Sequence, residues 1–309
     1  MEALPGPGPR LRIRTLDQPS EGKFDVSTKA GTLYVVATPI GNLEDLSARA
    51  VRILSEVDLI AAEDTRHSAA LLRHHGIETQ LRAYHEFNEQ SAARALLDLL
   101  REGRNIALIS DAGTPLISDP GYRVVAMAHD ESLRIVPVPG ASAPVAALSA
   151  SGLAPDRFCF EGYLPEKPAG RRVRLAELVR EPRTLIFFEA PHRIEASLAD
   201  MSAAFGGDRP AAIARELTKR FETVRRGSLE DLCKWLSGDP DQRRGEFVVV
   251  VQGATVPDQP GDDESRRILE VLLRYLSVKD AATVAAELTG RGRRQLYALA
   301  LELRGPDRN

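Results

Sequence analysis

The segment IALISDAGTPLISDPG, residues 106–121, joins a short apolar run to a long polar loop, and it decides the fold class of the N-terminal half. Four apolar side chains in a row at 106–109 are typical of a strand buried in a parallel sheet. The twelve residues Ser110–Gly121 then form a loop, and a helical pattern follows near 122–130. Loops of this length inside compact domains are usually functional, although the prolines are also compatible with a stiffened surface loop.

The same order of strand, loop and helix occurs five times between residues 31 and 152. This alternation predicts an α/β domain with a mostly parallel sheet and helices on both faces. Ser47 is expected to cap the first helix. The predicted strands lie at residues 33–37, 58–62, 81–84, 106–109 and 135–138.

A second α/β unit is predicted after a boundary near residue 152. Its expected helices lie at 171–179 and 194–205, and its expected strands lie at 158–160, 184–188, 211–214, 222–226 and 247–251. The predicted organisation is a disordered extension at 1–30, an N-terminal α/β cofactor domain at 31–152, a C-terminal α/β domain at 153–254, a linker at 255–264 and a helical tail at 265–309. The tail resembles a helix-turn-helix, which indicates either nucleic-acid binding or a packing and dimerisation element.

Composition limits the possible functions. The 309 residues carry a net charge of −3, which excludes an overall basic coat for nucleic acid. Cys159 and Cys233 are too few for a disulfide framework, and with no metal-binding pattern we expect no metal and a reducing, cytoplasmic location. No apolar run approaches the roughly 18 residues of a membrane span, so no membrane partner is expected.

Four loops after predicted strands are candidates for chemistry, because ligands of open α/β sheets bind beyond the carboxyl ends of the strands. They are Thr38–Asp45, Ser110–Gly121, Pro139–Ser142 and Glu189–Arg193. The sequence has neither a P-loop nor a dinucleotide fingerprint nor a nucleophile elbow, which argues against nucleoside triphosphates, NAD and serine hydrolysis. Asp111 is suited to accept a hydrogen bond from an amino group or a ribose hydroxyl, and Asp119 is expected to cap the helix at Tyr122.

Positive charge is concentrated in the second half. Residues 213–227 carry five basic and two acidic side chains, whereas residues 31–110 carry eight basic and eleven acidic ones. This polarity is suited to an anionic substrate that approaches one side of a cleft.

Six segments together resemble the class III methyltransferases that use S-adenosylmethionine, known as the tetrapyrrole methylase family, and within it the branch that modifies ribosomal RNA. Where the tetrapyrrole enzymes have a glycine-rich first loop and a Gly-Asp-Pro motif, this chain has Thr38–Gly41 and Ser110–Ala112. That departure favours the RNA branch. The segments are Leu33–Asp45, Ala62–Arg66, Leu108–Pro115, Glu189–Arg193, Arg215–Lys219 and Gly245–Val248.

The resemblance implies an enzyme that methylates the ribose 2′-hydroxyl of a cytidine in the decoding region of 16S rRNA in the small ribosomal subunit, and that forms a homodimer. The implied cofactor-binding residues are Pro39, Ser110, Asp111, Ala112, Leu116, Ile117, Ser142, Ala143, Glu189 and Leu217. The candidate catalytic bases are Asp111, Glu63, Glu216 and Lys219. The candidate RNA-binding residues are Arg66, His192, Arg193, Arg215, Arg220, Arg291, Arg293 and Arg294.

Two other functions stay open at this point. One is a methyltransferase of the same fold that acts on a tetrapyrrole-like small molecule. The other is a non-catalytic nucleic-acid-binding protein that uses the helical tail, although the nine basic and eight acidic residues of 261–309 nearly balance.

Overall fold

The computed structural model describes residues 30–85, 88–255 and 262–304. The predicted extension up to residue 29 and most of the predicted linker lie outside this part of the chain. The described residues form two five-stranded sheets with helices packed against them, followed by three helices at the C-terminal end.

The first sheet has the strand order β3-β2-β4-β1-β5, and each pair of neighbouring strands is parallel. The predicted parallel sheet is therefore confirmed. Runs such as Ile106–Ile109 are fully buried because helices cover both faces of the sheet. The strands are β1 (Thr32–Val36), β2 (Leu59–Ala62), β3 (Leu81–Ala83), β4 (Ile106–Ile109) and β5 (Arg134–Val138).

Helices α1 (Ala48–Glu56) and α2 (Thr65–His74) pack on one face of this sheet, and α3 (Glu89–Arg101) and α4 (Tyr122–Asp130) pack on the other. The Ser47 side chain accepts a hydrogen bond from the Ala50 N–H, which confirms the predicted cap. The predicted cap of α4 is wrong. Gly121 holds the N-cap position with no side-chain hydrogen bond, and Asp119 lies in the preceding loop instead.

The second sheet has the order β6-β7-β10-β8-β9 and is mixed. Only β6 and β7 pair in parallel, while β10 runs antiparallel to both of its neighbours and β9 runs antiparallel to β8. The strands are β6 (Phe158–Tyr163), β7 (Thr184–Glu189), β8 (Pro210–Arg215), β9 (Thr223–Ser228) and β10 (Phe247–Val251).

Three helices cover one face of the second sheet: α6 (Pro168–Leu178), α7 (Ile194–Phe205) and α8 (Leu229–Gly238). The sequence analysis did not predict α8. Its signals are a Ser228 side chain that caps the helix and a buried apolar stripe of Leu229, Leu232 and Leu236. A polar residue followed by leucines at this spacing is an ordinary helix start.

The other face of the second sheet is covered by α5 (Ala143–Ser151), which follows β5 in the chain. Ala147 and Leu148 of α5 share one buried cluster with Ile40, Ile186 and Val248. The two sheets are therefore joined through a continuous apolar core, and this core closes one side of the cleft between them.

The tail consists of α9 (Asp262–Leu272), α10 (Val278–Thr289) and α11 (Arg293–Arg304). Leu269, Ala281, Ala285, Leu296 and Ala300 form its own buried cluster. A search of the described residues finds no helix with the length and apolar character needed to cross a bilayer.

Candidate active site

The site begins at the place where the connections of two neighbouring parallel strands diverge. The chain leaving β1 goes to α1 on one face of the sheet, and the chain leaving β4 goes to α4 on the other face. A crevice results at such a point, and it is where open α/β sheets bind ligands.

The two loops at this point are tied together. Thr38 and Gly113 exchange backbone hydrogen bonds of 2.9 and 3.1 Å, and the Thr38 hydroxyl donates to the carbonyl of Ser110 at 3.1 Å. Gly113 has a φ of +85°, and a side chain there would press on Ile40. The long loop is therefore held in a defined shape against the end of β1.

Backbone strain is concentrated in the two loops that face each other across the cleft. Leu116 and Ser118, after β4, have φ values of 75° and 68°, and Glu216 and Thr218, after β8, have values of 50° and 65°. Residues other than glycine pay for this left-handed conformation, and such strain is concentrated at functional sites. Both loops therefore have the backbone character of a binding site.

A cavity of about 350 Å³ lies between these loops. The first unit contributes the segments that follow β1, β2 and β4 and the start of α5. The second unit contributes the C-terminal ends of β6, β7 and β8 and the start of β10, which is antiparallel to β7 and β8. The lining residues are Ile40, Glu63, Asp111, Ala112, Gly113, Thr114, Ile117, Ser118, Asp119, Ser142, Ala143, Pro144, Tyr163, Phe188, Ala214, Leu217, Glu246, Phe247 and Val248.

Three carboxyl groups, Glu63, Asp111 and Asp119, line the first-unit side of the cavity. Asp111 accepts a hydrogen bond from the Asp64 N–H at 3.0 Å, and its own N–H donates to Glu63. Burial raises the pKa of Glu63, and the charges of Asp119 and Asp111 raise it further. The pKa of Asp119 is raised to about 6, mainly by burial. A hydrogen bond from Ser110 opposes this rise, and the charge of Asp111 adds to it.

The opposite wall is apolar and aromatic. Leu217 and Val248 are buried there, and Phe188 and Tyr163 contact each other with ring centroids 5.5 Å apart. Together with the acidic side, this cavity suits a ligand that combines a positive charge with a flat apolar group.

Lys219 lies at the rim of the cleft in two ion pairs, 3.0 Å from Glu216 and 2.9 Å from Glu246. Burial alone would lower the pKa of Lys219, but its hydrogen bonds to Glu246 and Glu216 outweigh burial and raise it. A lysine base requires a lowered pKa, so the structure argues against Lys219 in that role. Partial burial alone would raise the pKa of Glu216. The hydrogen bonds that its carboxylate accepts from the Glu246 N–H and from Lys219 outweigh burial, so the pKa of Glu216 is lowered.

The structure brings many of the predicted site residues to this cavity. Those that line it are Glu63, Asp111, Ala112, Ile117, Ser142, Ala143 and Leu217. Pro39, Ser110 and Leu116 lie beside lining residues without lining the cavity themselves. Glu189 is buried, where it pairs with Arg193 at 3.1 Å.

The predicted RNA-binding residues divide into two groups. Arg66, His192, Arg220, Arg293 and Arg294 are exposed, and the Arg66 side chain is 93% exposed. Arg215 is 8% exposed, and its guanidinium donates to the carbonyls of Arg244, Phe221 and Asp241. Arg215 was expected to contact RNA phosphate, but its guanidinium is buried and binds backbone carbonyls of the protein instead.

Two further arginines are also engaged within the fold. Arg193 pairs with buried Glu189 and donates to the Leu164 carbonyl, which fixes the start of α7. Arg291 donates to the Ser265 hydroxyl at 2.9 Å and joins α9 to the turn before α11. These contacts hold both arginines in the fold, so we leave them out of the proposed RNA-binding set.

Many of the lining residues had no predicted site role, among them Asp119, Tyr163, Phe188 and Glu246. Glu246 precedes β10, and the pairing of Phe247 with Glu189 brings it to the carboxyl end of β7 because the two strands are antiparallel. The continuous apolar run of β10 does not by itself show that the neighbouring strands are antiparallel. The nearest available signal was the motif Gly245–Val248, which carried no assigned role.

Comparison with known proteins adds two matches to family models. Residues 32–233 match the model for tetrapyrrole (corrin/porphyrin) methylases, and residues 259–304 match the model described as the RsmI C-terminal HTH domain.

Curated relatives cover most of the chain. A Pseudomonas aeruginosa protein named ribosomal RNA small subunit methyltransferase I is 55% identical over 280 residues, which are 89% of this chain and 99% of that protein. A protein of the same name from Escherichia coli O157:H7 is 49% identical over 275 residues, 89% of this chain and 96% of that protein.

Solved structures share the fold. The methyltransferase CobJ is 21% identical with a TM-score of 0.55, covering 75% of this chain and 97% of its own. Uroporphyrin-III C-methyltransferase from Thermus thermophilus, complexed with S-adenosyl homocysteine, is 20% identical with a TM-score of 0.51, covering 71% of this chain and 97% of its own. At these identities the likeness concerns the fold alone.

Proposed function

The chain belongs to the tetrapyrrole (corrin/porphyrin) methylase family, and from its similarity to relatives named ribosomal RNA small subunit methyltransferase I we propose that it methylates small-subunit ribosomal RNA. The proposed reaction transfers a methyl group from S-adenosylmethionine to the 2′-hydroxyl of a cytidine ribose in 16S rRNA. The observation that carries the proposal is the similarity to relatives named for rRNA methylation, which extends over nearly the whole chain.

The helical tail favours the RNA substrate over a tetrapyrrole. Residues 259–304 match a domain model named for the RNA enzyme, so the similarity extends beyond the α/β fold that the tetrapyrrole enzymes share. A tail with exposed Arg293 and Arg294 also gives a second region for an anionic partner. A ribosomal substrate places the proposed reaction in the cytoplasm.

The cavity has the chemistry that S-adenosylmethionine requires. Its sulfonium and ammonium groups are cationic and its adenine is flat, which matches an acidic side opposite an apolar wall. We assign cofactor binding to the loop residues Asp111, Ala112 and Ile117, to Ser142 and Ala143 at the start of α5, and to Leu217 on the second unit.

When bound, the cofactor supplies an electrophilic methyl group, and the protein supplies alignment and proton transfer. A 2′-hydroxyl is a weak nucleophile until its proton is removed. We assign proton acceptance to the acidic group of Glu63, Asp111 and Asp119. Asp119 is the member with a pKa of about 6, near the value at which a base works best at neutral pH.

Exposed cations are assigned to the RNA backbone. Arg66, Arg220, Arg293 and Arg294 are free to reach solvent, and His192 lies on the exposed turn after β7. Phosphate contacts by such residues position an RNA without reading its sequence. The homodimer that the family resemblance implies is part of the proposal, and sedimentation of the purified protein tests it.

The experiment that tests the reaction uses small subunits from cells that lack the modification. The purified protein is given labelled S-adenosylmethionine with these subunits, with naked 16S rRNA and with a tetrapyrrole precursor, and the RNA is digested to nucleosides. Labelled 2′-O-methylcytidine is the expected product. Label found only in the tetrapyrrole would support the small-molecule reaction instead.

A further inference from the structure

Tyr163 is an exposed aromatic side chain at the mouth of the cavity. It is 57% exposed and ends β6, and it lines the cavity opposite the acidic group. Other aromatic side chains of the described residues are also exposed, such as Tyr122 and Tyr275, but among these exposed rings Tyr163 alone lines the cavity. Tyr163 belongs to the aromatic wall described above, but it is not among the residues assigned to the cofactor.

A β-bulge places Tyr163 on the cavity face. Phe160 pairs with Ile186, and Tyr163 pairs with Phe188. On β6 the two paired residues are three positions apart, whereas their partners on β7 are only two positions apart, so β6 contains one extra residue. With regular alternation, residues 160 and 163 would point to opposite faces. The extra residue in β6 corrects the alternation, and Gly162 has the φ of +64° that the bulge requires.

The Tyr163 ring packs against Phe188, which in turn packs against Phe160. Phe188 lies 5.5 Å from the Tyr163 ring and 4.9 Å from the Phe160 ring, and both phenylalanines pack against the apolar core that joins the two sheets. Tyr163 is thus held from one direction, while more than half of its surface is open. An aromatic side chain fixed in this way is a stacking surface for another flat ring.

We propose that Tyr163 stacks against the base of the target nucleotide of the RNA. Proteins that recognise single-stranded RNA commonly hold an unstacked base against an aromatic side chain. Glu246 also lines the cavity on the side of the second unit, and its carboxylate, which pairs with Lys219 but is largely exposed, can in addition accept a hydrogen bond from the exocyclic amino group of a base. The inference rests on the proposed function, since it names the part of the site that receives the RNA.

Steady-state kinetics on unmodified small subunits test this with Tyr163→Phe and Tyr163→Leu. The leucine variant keeps an apolar side chain but removes the ring. Since stacking on an aromatic side chain is worth about 1–3 kcal/mol per base, kcat/KM for the subunit is expected to fall about 5- to 150-fold. Tyr163→Phe is expected to stay within about 3-fold of the wild type, because the ring remains.

Two controls separate stacking from other effects. Tyr122→Leu makes the same change at a tyrosine that is 74% exposed and absent from the cavity lining, and it is expected to leave kcat/KM unchanged. Calorimetric binding of S-adenosyl homocysteine is expected to be the same for wild type and Tyr163→Leu. A weaker affinity in the leucine variant would mean that the ring stacks on the cofactor, which overturns the proposal.

The remaining outcomes are equally decisive. Equal kcat/KM for Tyr163→Leu and wild type on an active preparation would overturn the stacking role and leave the proposed reaction intact. No RNA methylation by the wild type would instead reject the proposed function from which the inference starts.

Discussion

Asp111 combines two roles at the residue scale, since its carboxylate lines the cavity and also accepts the Asp64 N–H at the start of α2. Asp111→Asn removes the charge and keeps an oxygen that can accept. We expect about 10-fold weaker binding of S-adenosylmethionine in calorimetry, because a hydrogen bond to a charged group is worth about 1.5–3 kcal/mol. The melting temperature of the free protein is expected to stay near that of the wild type.

Asp130→Asn is the matched control for this variant, because Asp130 is exposed at the far end of α4 and does not line the cavity. It should bind the cofactor like the wild type. Wild-type affinity in Asp111→Asn would remove Asp111 from the cofactor site.

Asp119 makes stability depend on pH. Its folded-state pKa of about 6 lies above the ordinary value, so the folded protein holds a proton that the unfolded chain has lost between about pH 4 and pH 6. Stability from this group is therefore present at pH 4 and falls as the pH rises to about 6. Asp119→Asn is expected to raise the melting temperature by a few degrees at pH 8 and to have little effect at pH 4, as thermal unfolding at both pH values would reveal.

The β6 bulge is the clearest case at the scale of a single element. Gly162 has a positive φ, and a Cβ added there would have only the Ser118 hydroxyl near it, at 3.5 Å. Gly238 ends α8, and a Cβ added there would meet no atom within 4 Å. Gly162→Ala is expected to destabilise the fold by about 1–2 kcal/mol through backbone strain alone. Gly238→Ala meets no such strain and should be neutral or slightly stabilising.

Urea unfolding of both variants measures this difference. Equal midpoints would mean that the bulge relaxes at no cost. A bulge that relaxes would also free Tyr163 to leave the cavity face, so Gly162→Ala should lower kcat/KM on the small subunit even where the protein remains folded.

At the scale of the whole molecule, the cleft and the tail are two separate contact regions for a large substrate. Replacing exposed Arg293 and Arg294 together by alanine is expected to weaken subunit binding and to reduce the dependence of the binding constant on salt by up to about two counterions. Binding measured at several salt concentrations gives both quantities.

Arg49→Ala with Arg52→Ala removes the same charge from α1, on the first unit. This double variant is expected to bind subunits almost as well as the wild type. A change only in dimer formation for the tail variant would assign α11 to assembly instead of RNA binding.

The sequence by itself determined the features that depend on local chemistry. Apolar runs such as Ile106–Ile109 that are short and end at a turn are typical of buried strands, and a loop that follows such a strand lies at the carboxyl end of the sheet. The parallel first sheet, the Ser47 cap and the position of the loop Ser110–Gly121 were predictable for this reason. The run of leucines after Ser228 carried the same kind of information, and α8 was overlooked although its signal was present.

Only the tertiary structure decided which groups face the cavity and which are occupied elsewhere. Arg215 looks like its exposed neighbours in sequence, but three backbone carbonyls surround it in the fold. Asp119 lies in the cavity because Gly121 and not Asp119 holds the N-cap position of α4, and Tyr163 faces the cavity because the pairing of β6 with β7 shifts by one residue. These outcomes depend on contacts between residues far apart in the chain, and a local pattern holds no information about such contacts.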